Sequence, residues 1–180
     1  MNIPVVRRAA ASLAERVLKV NHAGENGAVH IYAGQLALAW LTAPALAEEL
    51  REFKSHEERH RSIFLGELER RGVRRCRSYV LCGAGGYVLG LVTALFGRAA
   101  IAATTVAVEK VVLGHLRDQL RTLQGHDPEA VAAISSIVAE EQEHHDRSAV
   151  HAAQGKFWPA VLSPLVAAST ESVIWLGMRL

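Results

Sequence analysis

Two Glu-x-x-His pairs occur in the chain, Glu57 with His60 and Glu141 with His144. On a helix, residues three apart share a face, so each pair can offer one ion a carboxylate oxygen and an imidazole nitrogen. A single pair is weak, since 15 Glu and nine His in 180 residues give roughly 0.75 such pairs by chance. The stronger signal is a lone Glu 32 residues before each pair, Glu25 before Glu57 and Glu109 before Glu141. That spacing is about one helix out, a turn and one helix back at 1.5 Å per residue. Four carboxylates balance two divalent cations, and two imidazoles complete a mixed oxygen and nitrogen set that disfavours zinc. Iron is favoured over manganese because oxygen activation needs a pair of ions that can jointly give two electrons, although ligand types alone do not separate the two metals. The sequence does not assign which carboxylate would bridge.

For six such side chains to meet, the chain has to form antiparallel helices, and its patterning supports this. Ala- and Leu-rich segments carry apolar residues at helical spacing, with no convincing two-residue alternation. The expected helices run from Ala10 to Leu41, Pro44 to Arg71, Tyr79 to Leu123 with a weak point near Gly97, Pro128 to Ala153, and Pro159 to Met178. Pro44, Pro128 and Pro159 sit near helix starts, and Asp127 is a suitable N-cap. Glu109 shares its face with Thr105, Val112 and Leu116, and a free carboxylate there is expensive to ionise unless a cation takes it up. Gly24 and Gly27 beside Glu25 suggest the close approach of a neighbouring helix or a substrate.

One domain over residues 1–180 is expected from the length. Half the residues are hydrophobic and 21% are charged, a composition that suggests a membrane surface. The formal charge of +2 and the lack of interleaved basic and aromatic residues set nucleic acid aside. Cys76 and Cys82 fit neither a redox pair nor a zinc set and are expected to be reduced in a cytosolic compartment. No secretory or transit pattern precedes Glu15, so the mature chain is expected to begin near Met1. Residues Ser78 to Gly97 carry no charge and follow the cluster Arg70, Arg71, Arg74, Arg75 and Arg77. They form either an interfacial segment against anionic head groups or a buried connecting helix. The apolar C-terminal segment with Trp158 and Trp175 tilts this towards the membrane.

Four segments resemble the demethoxyubiquinone hydroxylase family of ubiquinone biosynthesis: VNHAGENGAVHIYAGQ at 20–35, EERH at 57–60, TVAVEK at 105–110 and EEQEHHD at 140–146. The ligand set of two Glu and two Glu-x-x-His is that of ferritin-like di-metal carboxylate bundles. The resemblance, from Val17 to Leu180, implies an all-α, ferritin-like four-helix bundle with an additional apolar connecting or C-terminal helix. It implies that Glu25, Glu57, His60, Glu109, Glu141 and His144 ligate two iron ions cycling between Fe2+ and Fe3+. Molecular oxygen and an external reductant would be cosubstrates. The substrate would be a polyprenyl quinone or quinol precursor missing one ring hydroxyl, making the chain a monooxygenase. It would attach peripherally to the cytoplasmic face of a bacterial inner membrane, with other ubiquinone-biosynthesis enzymes as candidate partners. Asn21, Lys110, Leu116 and Glu171 stand where the family commonly has Asp, Glu, Tyr and Arg.

Among the remaining candidates, His115 is expected either to relay protons or orient a ligand, or to be a hydrogen-bonded core histidine. His22 and Tyr32 flank Glu25 on its own face, as supports or as packing. His145 and His151 lie near the last ligand helix and read mainly as surface residues, and His30, His56 and His126 as solvated. Two other readings stay open: a rubrerythrin-like di-iron oxidase or peroxidase, and an iron- and quinone-binding partner protein with little turnover.

Overall fold

A computed structural model describes residues 12–179, and every regular element within them is helical. The helices are α1 (Leu13–Thr42), α2 (Ala47–Arg70), α3 (Tyr79–Leu95), α4 (Arg98–Leu123), α5 (Pro128–Ser135), α6 (Val138–Ala152) and α7 (Phe157–Gly177), with a short 3-10 turn, Pro44–Leu46, leading into α2. The expected helix start at Ala10 lies outside the described residues.

Local chemistry sets the boundaries. The Ser12 hydroxyl accepts from the Glu15 N–H at 3.1 Å, and the Glu15 carboxylate accepts from the Ser12 N–H at 2.7 Å. This reciprocal pair satisfies two donors left over at the start of α1. Asp127 caps α5 by accepting from Ala130 N–H at 3.0 Å and receives the Arg71 guanidinium at 2.7 and 2.8 Å. The weak point at Gly97 is a full break between α3 and α4, where the chain turns through φ 78°, a region glycine enters without strain. The segment from Pro128 also divides, at Ser136 and Ile137. Ser136 Oγ donates to the Ala133 carbonyl at 2.8 Å, and Ile137 N–H reaches back three residues to Ile134 at 3.3 Å. Both contacts tighten the turn. α7 begins two residues before Pro159, which therefore lies in the first turn, where an N–H has no acceptor within the helix.

Four helices surround the interior. Contacts of Asn21 with Gln119 and of Tyr32 with Glu109 set α1 antiparallel to α4. Contacts of His60 with Glu140 and of His56 with His144 do the same for α2 and α6. One apolar cluster gathers Leu18, Phe64, Leu68, Leu116, Ile134 and Ile137, and a second gathers Tyr32, Ala39, Leu50, Phe53 and Ile101. Glu25, Glu57, His60, Glu109, Glu141 and His144 lie along the helices between these two clusters.

α3 lies parallel to α1 at close range. A Cβ on Gly34 would stand 2.3 Å from the Tyr87 carbonyl oxygen, one on Gly86 2.3 Å from that of Gly27, and one on Gly90 2.1 Å from that of Ile31. Gly34 of α1 and Gly86 and Gly90 of α3 therefore let two backbones pack, and α3 is helical throughout. Gly27 is approached as expected, whereas a Cβ on Gly24 would meet nothing within 4 Å. α7 lies against α4 and antiparallel to α3. Phe96 and Trp158 meet at one end, with ring centres 4.6 Å apart, and Cys76 Sγ lies 3.9 Å from the Gly177 carbonyl oxygen at the other. The outward faces are apolar, with Leu81, Val88 and Val92 of α3 and Leu165, Val173 and Trp175 of α7 all exposed. By length and composition α4 and α7 could each cross a membrane, but most of the apolar stretch of α4 is buried in the bundle and little of that of α7 is.

Candidate metal centre

Each of the four surrounding helices contributes to one interior cluster: Glu25 from α1, Glu57 and His60 from α2, Glu109 from α4, and Glu141 and His144 from α6. Glu25 is the most open at 6% exposure, and the other five are at 2% or less. The imidazoles look across the bundle. His60 Nδ1 lies 2.9 Å from Glu141, 3.7 Å from Glu57 and 3.8 Å from Glu25, and His144 Nδ1 lies 3.1 Å from Glu57 and 4.0 Å from Glu141.

The ligand atoms form two groups, each with its atoms within 4.8 Å of one another. One contains Glu25, Glu57, His60 and Glu141; the other contains Glu57, Glu109, Glu141 and His144. Glu57 and Glu141 belong to both groups. Both Nδ1 atoms, Glu57 Oε1 and Glu141 Oε1 are buried without a well-directed hydrogen bond, despite separations near 3 Å. Donor atoms that converge on common points without pairing fit cations placed between them.

The electrostatics agree. Burial, followed by the charges of Glu57 and Glu141, pushes Glu25 well above the usual carboxylate range; Glu109 is raised by burial and by Glu141. For Glu57 burial pulls upward, but contacts with His144 and His60 outweigh it and hold the group low. Burial works to lower His60, yet the Glu141 and Glu57 carboxylates lift it to about 10. Four carboxylates in one dry space thus need positive charge, which protons supply in part and two divalent cations would supply in full.

Around the six, the structure sorts the other candidates. Tyr32 donates its hydroxyl at 3.1 Å to Glu109, across the bundle, and not to Glu25 on its own helix. His22 is buried and stacks on Tyr79 at 4.7 Å. Burial, then Arg61 and Arg75, lower it to about 4. His115 is not with the cluster: six residues beyond Glu109 it emerges on the far side of α4, one-third exposed, 2.8 Å from Glu171. Asn21 makes a two-way amide contact with Gln119 at 2.8 and 3.0 Å, joining α1 to α4, and Lys110 is exposed. His145 pairs with Asp146, and His151 joins Arg98 and Glu49.

Two residues escaped the sequence reading. Glu140 takes the outer nitrogen of His60, Nε2, at 2.7 Å, and His56 is half-buried with Nδ1 3.1 Å from His144 Nε2. The signal was positional, because each immediately precedes a glutamate of the cluster, Glu57 or Glu141. His30, also expected to be solvated, is half-buried with a ring nitrogen 2.7 Å from the Asn26 carbonyl oxygen, while His126 is exposed.

Fold and site together define a class: an all-helical bundle with a buried carboxylate–imidazole cluster able to hold two cations. Residues 12–177 match the family described as "Ubiquinone biosynthesis protein COQ7". The chain is 32% identical to the mouse protein named NADPH-dependent 3-demethoxyubiquinone 3-hydroxylase, mitochondrial, over 99% of this chain and 82% of that one. It is 36% identical to the protein of that name from Dictyostelium discoideum, over 92% and 76% of the two chains. To the 3-demethoxyubiquinol 3-hydroxylase of Rhodospirillum rubrum it is 36% identical over 94% and 79%. The chain belongs to this ubiquinone biosynthesis family.

Proposed function

We propose that this protein is an oxygen-dependent di-iron hydroxylase of a demethoxyubiquinone- or demethoxyubiquinol-type precursor. The observation that carries the reading is the pair of overlapping four-residue groups sharing Glu57 and Glu141. Glu25, Glu57, His60 and Glu141 would hold one iron ion, and Glu57, Glu109, Glu141 and His144 the other. When bound, the iron pair supplies the redox chemistry of oxygen activation, drawing electrons from an external reductant.

The chain's own residues deliver and orient the ring. A narrow cleft lined by Ala28, Ile31, Tyr32, Thr105, Val108 and Glu109 reaches the cluster at the α1–α4 seam. Above that seam pack Leu89 of α3 and Leu162 and Val166 of α7, next to Ile31 and Val108. A benzoquinone ring would enter at this seam, beside Glu109, by widening a cleft that now has room for about one water molecule, with Tyr32 holding the Glu109 carboxylate and the isoprenoid tail running out along the apolar layer from Tyr87 to Phe96 and α7. The surrounding apolar residues keep water from the reacting ring. The same layer faces the lipid of the inner membrane, on its cytoplasmic side, with exposed Arg74, Arg75 and Arg77 at the head groups.

Mass spectrometry of extracted lipids tests this. Cells lacking the protein accumulate a quinone precursor without the added ring hydroxyl, and Glu109→Ala does not clear it. No accumulation would reject the hydroxylase. Normal quinone levels with Glu109→Ala would favour the partner protein with little turnover.

A further inference from the structure

The two halves of the cluster are related by a constant shift along the chain: Glu25 and Glu109, Glu57 and Glu141, and His60 and His144 are each 84 residues apart. The same shift relates the residues around them, and there the two halves differ. His56 stands 84 residues before Glu140, and these are the residues behind the two imidazoles. Behind His60 is a carboxylate, Glu140, at 2.7 Å; behind His144 is another imidazole, His56, at 3.1 Å. The half-exposed Arg59 grips Glu140 and fixes its orientation. The same register sets Tyr32 against Leu116, 84 residues apart. Tyr32 donates a hydrogen bond to Glu109 at 3.1 Å, whereas Leu116 has no hydroxyl to offer Glu25.

Both differences act in one direction. With Nδ1 turned towards the cluster, the proton of each ring sits on Nε2 and is donated outward. A carboxylate acceptor draws that proton more strongly than a neutral imidazole does, making His60 the more basic ligand. A hydroxyl hydrogen bond takes donor strength from Glu109 that Glu25 keeps. From this geometry we infer that the two cation positions are unequal: the one at Glu25 and His60 fills first and binds more tightly than the one at Glu109 and His144. Glu140 and His56 act as the positioning residues that set the order. The inference rests on the two-cation reading above.

Stepwise anaerobic addition of Co2+ to the metal-free protein, followed by calorimetry and by the visible bands of the ion, tests it. Two steps are expected, with the first tighter by about 10- to 100-fold, the range in which such outer hydrogen bonds act. Anomalous diffraction from crystals given one equivalent should place cobalt beside His60. Glu140→Gln weakens the first step and leaves the second, and His56→Glu strengthens the second, so each narrows the gap. Circular dichroism checks that both variants are folded. Two equal steps, cobalt first beside His144, or a gap unchanged in Glu140→Gln would overturn the inference while leaving the two-cation reading standing. No binding at all by the wild-type protein would overturn both.

Discussion

At the level of single residues, the cluster sets stability against function. Burial, then the charges of Glu57 and Glu141, push Glu25 well above the usual carboxylate range, so at neutral pH in the metal-free protein it costs the folded state stability, either as a desolvated charge or through the proton it must take up. Taking Glu25 out of this buried group of carboxylates removes its desolvation cost and its repulsion with Glu57 and Glu141. Glu25→Leu is therefore expected to raise the melting temperature of metal-free protein, and to gain less from added Fe2+ than the wild type does; thermal denaturation with and without the ion reads both. The six cluster residues were legible because their spacing survives as arithmetic in the sequence. His56 and Glu140 were not. Which side chain stands behind an imidazole depends on how α2 and α6 are rotated against each other, and periodicity along one strand of sequence carries no such information. Tyr32 shows the same limit: it shares a face with Glu25 yet serves Glu109 on the opposing helix.

At the level of elements, boundaries written in special residues were readable and those set by hydrogen-bond competition were not. Asp127 with Pro128 announces α5 and Gly97 announces the break before α4, whereas nothing beyond a Ser-Ser pair signals the interruption at Ser136. Asp127 also carries a pH dependence. Its bond with Arg71, opposed by burial and aided by the Ala130 N–H, holds it below the usual aspartate range. A depressed folded value means the contribution is present above the unfolded value of about 3.9 and is lost as pH falls through the folded one. With cap and ion pair each worth about 1 kcal/mol, Asp127→Ala should cost about 1–2 kcal/mol at neutral pH in denaturant unfolding, a deficit that shrinks below about pH 4. The close packing of α3 gives a paired comparison. Gly90→Ala places a Cβ 2.1 Å from the Ile31 carbonyl oxygen, whereas Gly85→Ala meets nothing within 4 Å. In thermal melts the first should destabilise by about 1–3 kcal/mol, and the second should gain up to about 1 kcal/mol from helix propensity.

For the whole molecule, the helical hairpins supply the cluster, and α3 and α7 add one apolar layer over the α1–α4 seam. The uncharged run at 78–97 left open whether this segment faces lipid or core. Both readings have a structural basis: one side of α3 carries the glycines that meet α1, and the other exposes Leu81, Val88 and Val92. A helix with both faces uncharged has no polar side to mark its orientation. Everything about the proposed reaction depends on the interior, where four helices bring these six side chains together. Iron analysis of protein reconstituted anaerobically with Fe2+ tests that dependence most directly. About two iron ions per chain are expected, as for a di-metal bundle, and because Glu141 belongs to both groups, Glu141→Ala should lose both. Wild-type protein that takes up no iron, or a Glu141→Ala variant that keeps its full complement, would contradict the account.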